Sequence, residues 1–333
     1  MSDRQAAPIV QVAVGVIRRN GKVLIARRPD HVHQGGLLEF PGGKVETGES
    51  AQEALVREVQ EETGLRVSAL DLVPLIGIRH DYGDKCVFLD VWETSVSVGE
   101  PEGKEGQSVE WRDLLDLADK DFPAANRPII RALRLPGRYA ITGSASGPAD
   151  YLQRLKQALP ESGQSLCLLR APELDRPRYH EMVSAAIAEA DWNRGLQWML
   201  HGGPDLIRAF PGAAGLHMPW REARLHSDRP VDDRYLLAVS CHDAVEIQHA
   251  LKIKADFITL GPVKPTNSHP DTASLGPDRF RALVAQAPLV VYGLGGLDPE
   301  DEREMIACGA HGIAGISYWW PGNKGRTVNL LKR

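Results

Sequence analysis

Three glutamates in one short segment constrain the first third of this chain more than any other feature. Glu58, Glu61 and Glu62 are spaced so that, on a helix, their carboxylates project from the same side. Carboxylates held this close repel one another and raise each other's proton affinity, which a divalent cation relieves. Oxygen ligands of this kind are what Mg²⁺ prefers. The spacing therefore allows a Mg²⁺ site, in which Mn²⁺ could substitute, and a solvated acidic helix face, the usual role of a Glu-rich helix, is the alternative at this point.

The two ends of this helix are also encoded locally. Ser50 followed by Glu53 is a capping-box pattern, so the helix is predicted to begin at Ala51. Gly64 supplies a C-terminal stop. Arg57 lies four residues after Glu53 and could orient the acidic side chains.

A chain of 333 residues is too long for one ordinary core and is interpreted as two domains. Leu135-Pro136-Gly137 breaks the pattern, so we place the domains at residues 1–135 and 138–333. In the first, Asn20-Gly21 predicts a hairpin turn. The predicted strands and closing helix there are 10–18, 22–27, 87–94 and 126–135.

The second half has a different rhythm, in which short apolar runs alternate with helical stretches. Eight such runs suit a C-terminal (β/α)8 TIM barrel, and an open doubly wound sheet is the alternative. The eight predicted strands are 139–142, 165–170, 196–201, 214–218, 235–240, 256–261, 288–292 and 312–317.

The glutamate-bearing segment also fits a longer fixed pattern. From Gly43 to Leu65 the chain matches every position of G-x5-E-x7-R-E-U-x-E-E-x-G-U, where U is aliphatic, and so resembles the Nudix hydrolases. The resemblance extends to the MutT branch, the 8-oxo-dGTP diphosphatases, and implies an α/β/α sandwich with a mixed sheet. The segments that carry it outside the box are 27–28, 38–43, 103–107, 110–111 and 121–126.

This resemblance implies a set of site residues. The metal ligands would be Glu58, Glu61, Glu62, the Gly42 carbonyl and Glu105, the last from a loop. Glu58 or Glu61 would take a proton from water, and Arg57 would assist. The nucleotide pocket would be lined by Arg28, His33, Glu39, Phe40, Pro41, Gly42 and Asn126.

Two of these pocket residues have ordinary alternatives. Asn126 would read the edge of an oxidised guanine, because an amide both donates and accepts hydrogen bonds. The same side chain could instead cap the following helix. Phe40 could stack on a base or belong to the core.

The implied reaction is Mg²⁺-dependent attack of water on the β-phosphorus of a nucleoside triphosphate such as 8-oxo-dGTP. It would release the monophosphate and pyrophosphate and so sanitise the nucleotide pool for DNA replication. One alternative is hydrolysis of a thiamine-pathway pyrophosphate coupled to the barrel. Another is a ligand-sensing Nudix module without catalysis, against which the intact pattern argues.

The second half resembles thiamine-phosphate synthases and the related thiazole tautomerases, through segments 139–142, 255–263 and 293–296. This implies a phosphate-bearing small ligand at the C-terminal face of the barrel. Gly296, Ile316 and Ser317 match the phosphate cradle, and His242 matches a histidine that transfers protons in the tautomerases. His242 could equally be a strand-end histidine with a structural hydrogen bond.

Several synthase positions differ in this chain. Where the synthases have the motif Gln-Leu-Arg-Glu-Lys, this chain has Leu-Leu-Arg-Ala-Pro at residues 168–172. It keeps the arginine, Arg170, and lacks the lysine. The Asn-Asp metal pair becomes His201-Gly202, and the second metal aspartate falls near Glu222. The pyrophosphate loop, 266–269, also lacks its lysine. Synthase activity is therefore not expected, because a departing pyrophosphate would be poorly stabilised.

Composition excludes several other classes of protein. The net charge of −5 argues against a long nucleic acid as partner. The apolar runs are too short to span a membrane, and residues 1–8 do not resemble a signal peptide. Four scattered cysteines favour reduced thiols and a cytoplasmic protein over a zinc site or disulfides.

Overall fold

The computed structural model describes residues 9–29, 34–81, 86–188, 195–266 and 273–321. The chain divides into two compact units, Met1–Arg134 and Leu135–Arg333. Within the described ranges, no helix is both long enough and apolar enough to cross a membrane. His33, one of the predicted pocket residues, lies outside the described residues.

The N-terminal unit contains a mixed sheet and two α-helices among its described residues. The Asn20-Gly21 hairpin is confirmed: both residues have positive φ, 51° and 78°, which a two-residue primed turn requires. The strands are β1 (Ile9–Arg19), β2 (Lys22–Arg27), β3 (Leu38–Glu39), β4 (Gly42–Lys44), β5 (Val73–Asp81), β6 (Cys86–Thr94) and β7 (Val109–Asp113), and the helices are α1 (Ala51–Thr63) and α2 (Arg127–Arg134).

The order of the strands places the Gly42-Gly43 segment, called the glycine loop below, next to α1. The strands run β3-β2-β1-β6-β5, with β4 paired to β1 and β7 paired to β2. Only the β1–β6 pairing is parallel among the described pairs of this unit, so the predicted mixed sheet is confirmed. Because Gly43 is in register with Ala13, the strand that follows the Gly-rich segment lies against the centre of the sheet.

Helix α1 has the predicted ends. The Ser50 hydroxyl accepts the Glu53 N–H and the Glu53 carboxylate accepts the Ser50 N–H, which is a complete capping box. Gly64 ends the helix at φ 71°, a left-handed conformation that glycine adopts without strain. Leu55 and Val59 are buried against the sheet. Packing on this face leaves the glutamates on the other side of the helix.

The C-terminal unit is a closed barrel of eight parallel strands in the order β10-β11-β12-β13-β14-β15-β8-β9. All eight predicted strands are present within two residues at each end, and the alternative of an open sheet is wrong. The strands are β8 (Arg138–Ile141), β9 (Leu166–Leu169), β10 (Gln197–His201), β11 (Gly215–Met218), β12 (Leu236–Cys241), β13 (Phe257–Leu260), β14 (Val290–Leu294) and β15 (Gly312–Gly315). The helices are α3 (Pro148–Ser162), α4 (Arg176–Ala188), α5 (Asp205–Ala209), α6 (Trp220–Ala223), α7 (Ala244–Lys252), α8 (Gly276–Val284) and α9 (Glu302–Ala307).

The interior of the barrel is packed with aromatic rings and so is not an open channel. Tyr139 stacks on His217 at 5.7 Å and meets Phe257 edge-on at 5.3 Å. Tyr292 contacts both Tyr139 and Phe257. These four side chains are at most 1% exposed and form one layer across the lumen.

A buried ion pair supports the barrel wall and leads to a stability prediction. Asp256 accepts hydrogen bonds from Arg229 at 2.9 Å and from the Leu237 N–H at 2.7 Å, and its side chain is 1% exposed. We expect Asp256→Ala to lower the free energy of unfolding of the barrel by about 3–5 kcal/mol, because it removes the buried acceptor that the Arg229 guanidinium and the Leu237 N–H share. Denaturant unfolding of the full chain measures this.

The matched control is Asp278→Ala, because Asp278 pairs with Arg281 on the surface and its side chain is 97% exposed. We expect no measurable shift of the barrel transition in that variant, since solvated pairs contribute little. Equal effects of the two substitutions would contradict the assignment of the Asp256 pair as structural.

Candidate active site

Arg57 connects the acidic side chains of α1 to the loop that precedes this helix. Its guanidinium contacts Glu49 at 2.7 Å, Glu58 at 2.8 Å and Glu61 at 3.2 Å, and donates to the Lys44 carbonyl at 3.2 Å. These hydrogen bonds, the one to Glu49 above all, raise the pKa of Arg57 above its ordinary value. Arg57 thus orients three carboxylates at once.

Glu53 is not among these partners, although its spacing suggested that it could be. Its carboxylate is occupied by the backbone and hydroxyl of Ser50 in the helix cap. The carboxylate outside the helix that pairs with Arg57 is that of Glu49. Glu49 is a fixed position of the box for which the sequence analysis assigned no role.

Glu58 lies directly against the glycine loop. A Cβ atom placed on Gly43 would come within 2.2–2.4 Å of the three carboxylate atoms of Glu58. Any side chain at residue 43 would therefore displace this carboxylate. Gly42 is equally restricted: its φ is 148°, and a Cβ there would lie 2.1 Å from the Ala13 carbonyl oxygen.

Glu62 is the most perturbed acid of the site. Its Oε2 atom accepts the Gly42 N–H at 3.0 Å. Burial raises the pKa of Glu62 to about 8, and the negative charges of Glu39, Glu58 and Glu105 act in the same direction. A carboxylate with such a raised pKa in a cluster of acids is a frequent mark of a functional site.

Glu105 reaches this cluster because its loop docks on the C-terminal end of α1. The Lys104 N–H and the Gln107 side-chain amide both donate to the Glu62 carbonyl, at 2.9 and 3.1 Å. The Gln107 side chain also accepts the Glu105 N–H at 2.8 Å. The loop thereby satisfies backbone groups that the end of a helix leaves unpaired. These contacts hold the exposed Glu105 close to Glu62.

The chemistry of this donor set fits a divalent metal ion. Four carboxylates, those of Glu39, Glu58, Glu62 and Glu105, interact around one buried position, and a hard cation would relieve their repulsion. Among the described residues, no group of three or more His, Cys, Asp or Glu is already arranged as a metal cage. The fit therefore rests on charge and oxygen chemistry, and the side chains would have to converge around the ion.

The predicted pocket residues fall into different environments. Arg28 and Glu39 form an ion pair with each other. The pKa of Glu39 is raised by burial and lowered in part by Arg28. Phe40 is only 3% exposed and stacks on Phe122 at 5.5 Å, which makes its ring part of the core. Pro41 is buried as well.

Asn126 is placed differently from those core residues. It is half-buried and ends the short 3-10 helix Ala124–Asn126 directly before α2. Its backbone N–H donates to the Pro123 carbonyl at 2.9 Å. In the described part of the chain its side-chain amide has no hydrogen-bond partner. The amide is therefore available to a ligand.

In the barrel, the Gly-Gly pair after β14 makes a tight turn. Gly296 has a φ of 66°, and a Cβ on it would lie 2.6 Å from the Pro265 carbonyl oxygen. Ile316 and Ser317 follow β15, and Ser317 is exposed. The three proposed cradle residues thus lie at the carboxyl ends of β14 and β15, which are neighbouring strands.

His242 follows β12 and is anchored by the next helix. Its Nδ1 atom lies 2.7 Å from the Glu246 carboxylate, which also accepts the His242 N–H at 2.8 Å. This is the structural hydrogen bond that the sequence analysis weighed against a catalytic role, and the histidine side chain remains 53% exposed. Arg170 follows β9, at the same end of the barrel.

Comparison with known families divides the chain in the same two parts. Residues 13–132 match the model of the NUDIX domain, and residues 138–318 match that of thiamine monophosphate synthase. The chain belongs to the thiamine monophosphate synthase family through its barrel and to the Nudix family through its N-terminal unit.

Individual relatives make the N-terminal assignment finer. An 8-oxo-dGTP diphosphatase of Escherichia coli is 42% identical over 126 residues, which are 38% of this chain and 96% of the relative. A CTP pyrophosphohydrolase of the same organism is 32% identical, over 37% of this chain and 90% of the relative. The N-terminal unit is thus a Nudix hydrolase with 8-oxo-dGTP diphosphatase homologues, acting on phosphoanhydride bonds.

The barrel is more distant from its relatives. A putative thiamine-phosphate synthase of Aquifex aeolicus is 28% identical over 187 residues, which are 56% of this chain and 99% of the relative. This likeness agrees with the family assignment of the barrel. It does not identify the reaction, which depends on the residues at the mouth of the barrel.

Proposed function

We propose that the N-terminal unit hydrolyses 8-oxo-dGTP to the monophosphate and pyrophosphate, with Mg²⁺ as cofactor, and thereby sanitises the nucleotide pool of the cytoplasm. The observation that supports this most strongly is the buried Glu62 within its carboxylate cluster, on a capped helix of an intact Nudix box. The identity to an 8-oxo-dGTP diphosphatase directs the choice of nucleotide.

Each residue then has a defined task. Glu58, Glu61, Glu62, Glu105 and the Gly42 carbonyl would hold the metal, and Mn²⁺ would substitute for Mg²⁺ there. When bound, Mg²⁺ neutralises phosphate oxygens and makes a water molecule a better nucleophile. Glu58 or Glu61 takes the proton of that water, since both carboxylates are oriented by Arg57.

The pocket would bind the nucleotide through its base and its charged rim. Asn126 presents an amide that has no hydrogen-bond partner among the described residues and that can donate and accept at the edge of an oxidised guanine. Arg28 and Glu39 would position the nucleotide beside the phosphates, and His33 is proposed for the same wall. Phe40 and Pro41 would support this wall from the core, since both are buried. The domain boundaries that we propose are residues 1–135 for this hydrolase unit and residues 138–333 for the barrel.

Steady-state kinetics on a substrate panel test this proposal. We expect kcat/KM for 8-oxo-dGTP to exceed that for dGTP by at least about 100-fold, because a pocket that hydrogen-bonds one base edge rejects the other strongly. CTP belongs in the panel because a relative of the N-terminal unit is a CTP pyrophosphohydrolase. A higher kcat/KM for CTP or dGTP than for 8-oxo-dGTP would refute the proposed substrate.

A second candidate substrate is a thiamine-pathway pyrophosphate. The observation that favours it is the barrel itself, which belongs to the thiamine monophosphate synthase family and occupies the same chain. Thiamine diphosphate in the same panel decides between the two. If this second candidate is right, kcat/KM for thiamine diphosphate should exceed kcat/KM for every nucleotide.

A further inference from the structure

The loop between β6 and β7 carries Glu105 and is bound to the C-terminal end of α1. The Glu102 N–H donates to the Thr63 carbonyl at 2.9 Å, and the Lys104 N–H donates to the Glu62 carbonyl at 2.9 Å. Thr63 and Glu62 are the last two residues of the helix, where carbonyl groups have no partner within the helix. The loop therefore takes the place of a further helical turn and brings Glu105 beside the end of α1.

The Gln107 side chain completes this connection with both halves of its amide. Its Nε2 atom donates to the Glu62 carbonyl at 3.1 Å, and its Oε1 atom accepts the Glu105 N–H at 2.8 Å. In the described part of the chain, the Glu105 N–H has no other hydrogen-bond partner. One side chain thus joins the main chains of two residues whose carboxylates belong to the same acidic cluster.

Gln107 is itself fixed to the sheet through its neighbours in the chain. It lies two residues before β7, and the carbonyl of the intervening Ser108 accepts the Arg27 N–H at 2.9 Å. From Val109 onward, β7 is paired along its length with β2. The half-buried Gln107 side chain therefore extends from the end of an anchored strand to the helix and to the loop.

Two glycines give this loop its tight shape. A Cβ atom on Gly103 would lie 1.6 Å from the Gln107 carbonyl oxygen, so a side chain cannot be accommodated there. Gly106 has a φ of 84°, a conformation that glycine adopts without strain. The main chain thus turns back on itself between Gly103 and Gln107, with Glu105 in the turn. The amide of Gln107 then fixes this turn to the helix.

Glu105 differs from the other members of the acidic cluster in what supports it. Glu58 and Glu62 lie on α1, and Glu39 lies in β3, whereas Glu105 is an exposed residue outside the helices and strands. An exposed side chain on an unsupported loop would lose conformational entropy on binding a metal ion. A group that fixes its main chain beforehand reduces this cost, because less of the order has to be created when the ion binds.

We propose that Gln107 is a positioning residue, which sets the metal affinity of the site by holding the main chain of Glu105 at the end of α1. This inference rests on the metal site of the proposed function. Both halves of the Gln107 amide are engaged by main-chain groups, so its effect passes through the Glu105 carboxylate and needs no contact with the ion or the nucleotide. A carboxylate at residue 107 could accept the N–H but not donate to the carbonyl, and an apolar side chain could do neither.

Binding of Mn²⁺ alone to the full chain, followed by electron paramagnetic resonance, tests the proposal. We expect Gln107→Met, which keeps the length of the side chain and loses both hydrogen bonds, to raise Kd for Mn²⁺ by about tenfold. Gln107→Asn should lie between this variant and the unsubstituted protein, because a shorter amide can keep one of the two bonds. Gln60→Met is the matched control, since Gln60 is an exposed glutamine of α1, and its Kd should stay unchanged.

A double-variant cycle separates this role from general support of the loop. If Gln107 acts through the Glu105 carboxylate, adding Gln107→Met to Glu105→Gln should change Kd for Mn²⁺ by less than about twofold. An equal effect of Gln107→Met in both backgrounds would overturn the proposal. An unchanged Kd in folded Gln107→Met would overturn it as well.

Initial rates of hydrolysis over a Mg²⁺ titration provide the second measurement. In Gln107→Met we expect the half-saturating Mg²⁺ concentration to rise by about tenfold, while kcat at saturating Mg²⁺ stays within about twofold of the unsubstituted value. A fall in kcat that no Mg²⁺ concentration restores would contradict the assignment.

These outcomes are distinct from failure of the proposed function. Hydrolysis of 8-oxo-dGTP together with an unchanged Kd for Mn²⁺ in Gln107→Met would overturn only the role of Gln107. A Kd that depends on Gln107, in a chain that does not hydrolyse 8-oxo-dGTP, would support this role and overturn only the proposed substrate.

Discussion

Glu62→Gln is expected to lower kcat/KM for Mg²⁺-dependent nucleotide hydrolysis by at least about 100-fold. The amide keeps the shape of the side chain, and its oxygen can still accept the Gly42 N–H that Glu62 accepts at 3.0 Å. It removes the ability of this side chain to ionise when a cation binds beside Glu39, Glu58 and Glu105. The loss therefore reports on charge at this position. Initial rates measured over a Mg²⁺ titration give the effect.

The matched control for this variant is Glu46→Gln. Glu46 is an exposed acid of the loop before α1 that is not a fixed position of the box. We expect its removal to leave kcat/KM and its Mg²⁺ dependence unchanged. Turnover close to that of the unsubstituted protein in Glu62→Gln, with an unchanged melting temperature, would be strong evidence against the metal-site assignment.

Asn126→Ala is expected to reduce the preference for 8-oxo-dGTP over dGTP by about 10- to 100-fold. Its side-chain amide has no protein partner among the described residues, so a bound base is the group that would lose a hydrogen bond. The variant should fold normally for the same reason. The ratio of the two kcat/KM values measures the effect, and most of the change should come from 8-oxo-dGTP.

Asn126→Asp is the companion variant, since it keeps an acceptor and loses the donor. We expect an intermediate loss of preference if both functions of the amide are used. If the ratio of kcat/KM values for 8-oxo-dGTP and dGTP is the same in all three proteins, Asn126 does not read the base, and its position before α2 is structural.

Local features of the sequence were sufficient for the secondary structure around the site. The ends of α1 follow from Ser50, Glu53 and Gly64 because capping depends on atoms three or four residues apart. The Asn20-Gly21 turn depends on two residues that tolerate positive φ. The eight barrel strands could be located for a similar reason, since each is a short apolar run between helical segments. Periodicity did not decide between a closed barrel and an open sheet, because closure depends on how the first strand meets the last.

The sequence by itself determined the capped acidic helix, the hairpin and the strand positions, because each depends on neighbours within a few residues. The tertiary structure alone decided that Arg57 pairs with Glu49 while Glu53 closes the cap, and that the loop of Glu105 docks on the end of α1. Such contacts join groups that are distant in the chain, and their distances and burial are set by packing, which no local pattern encodes.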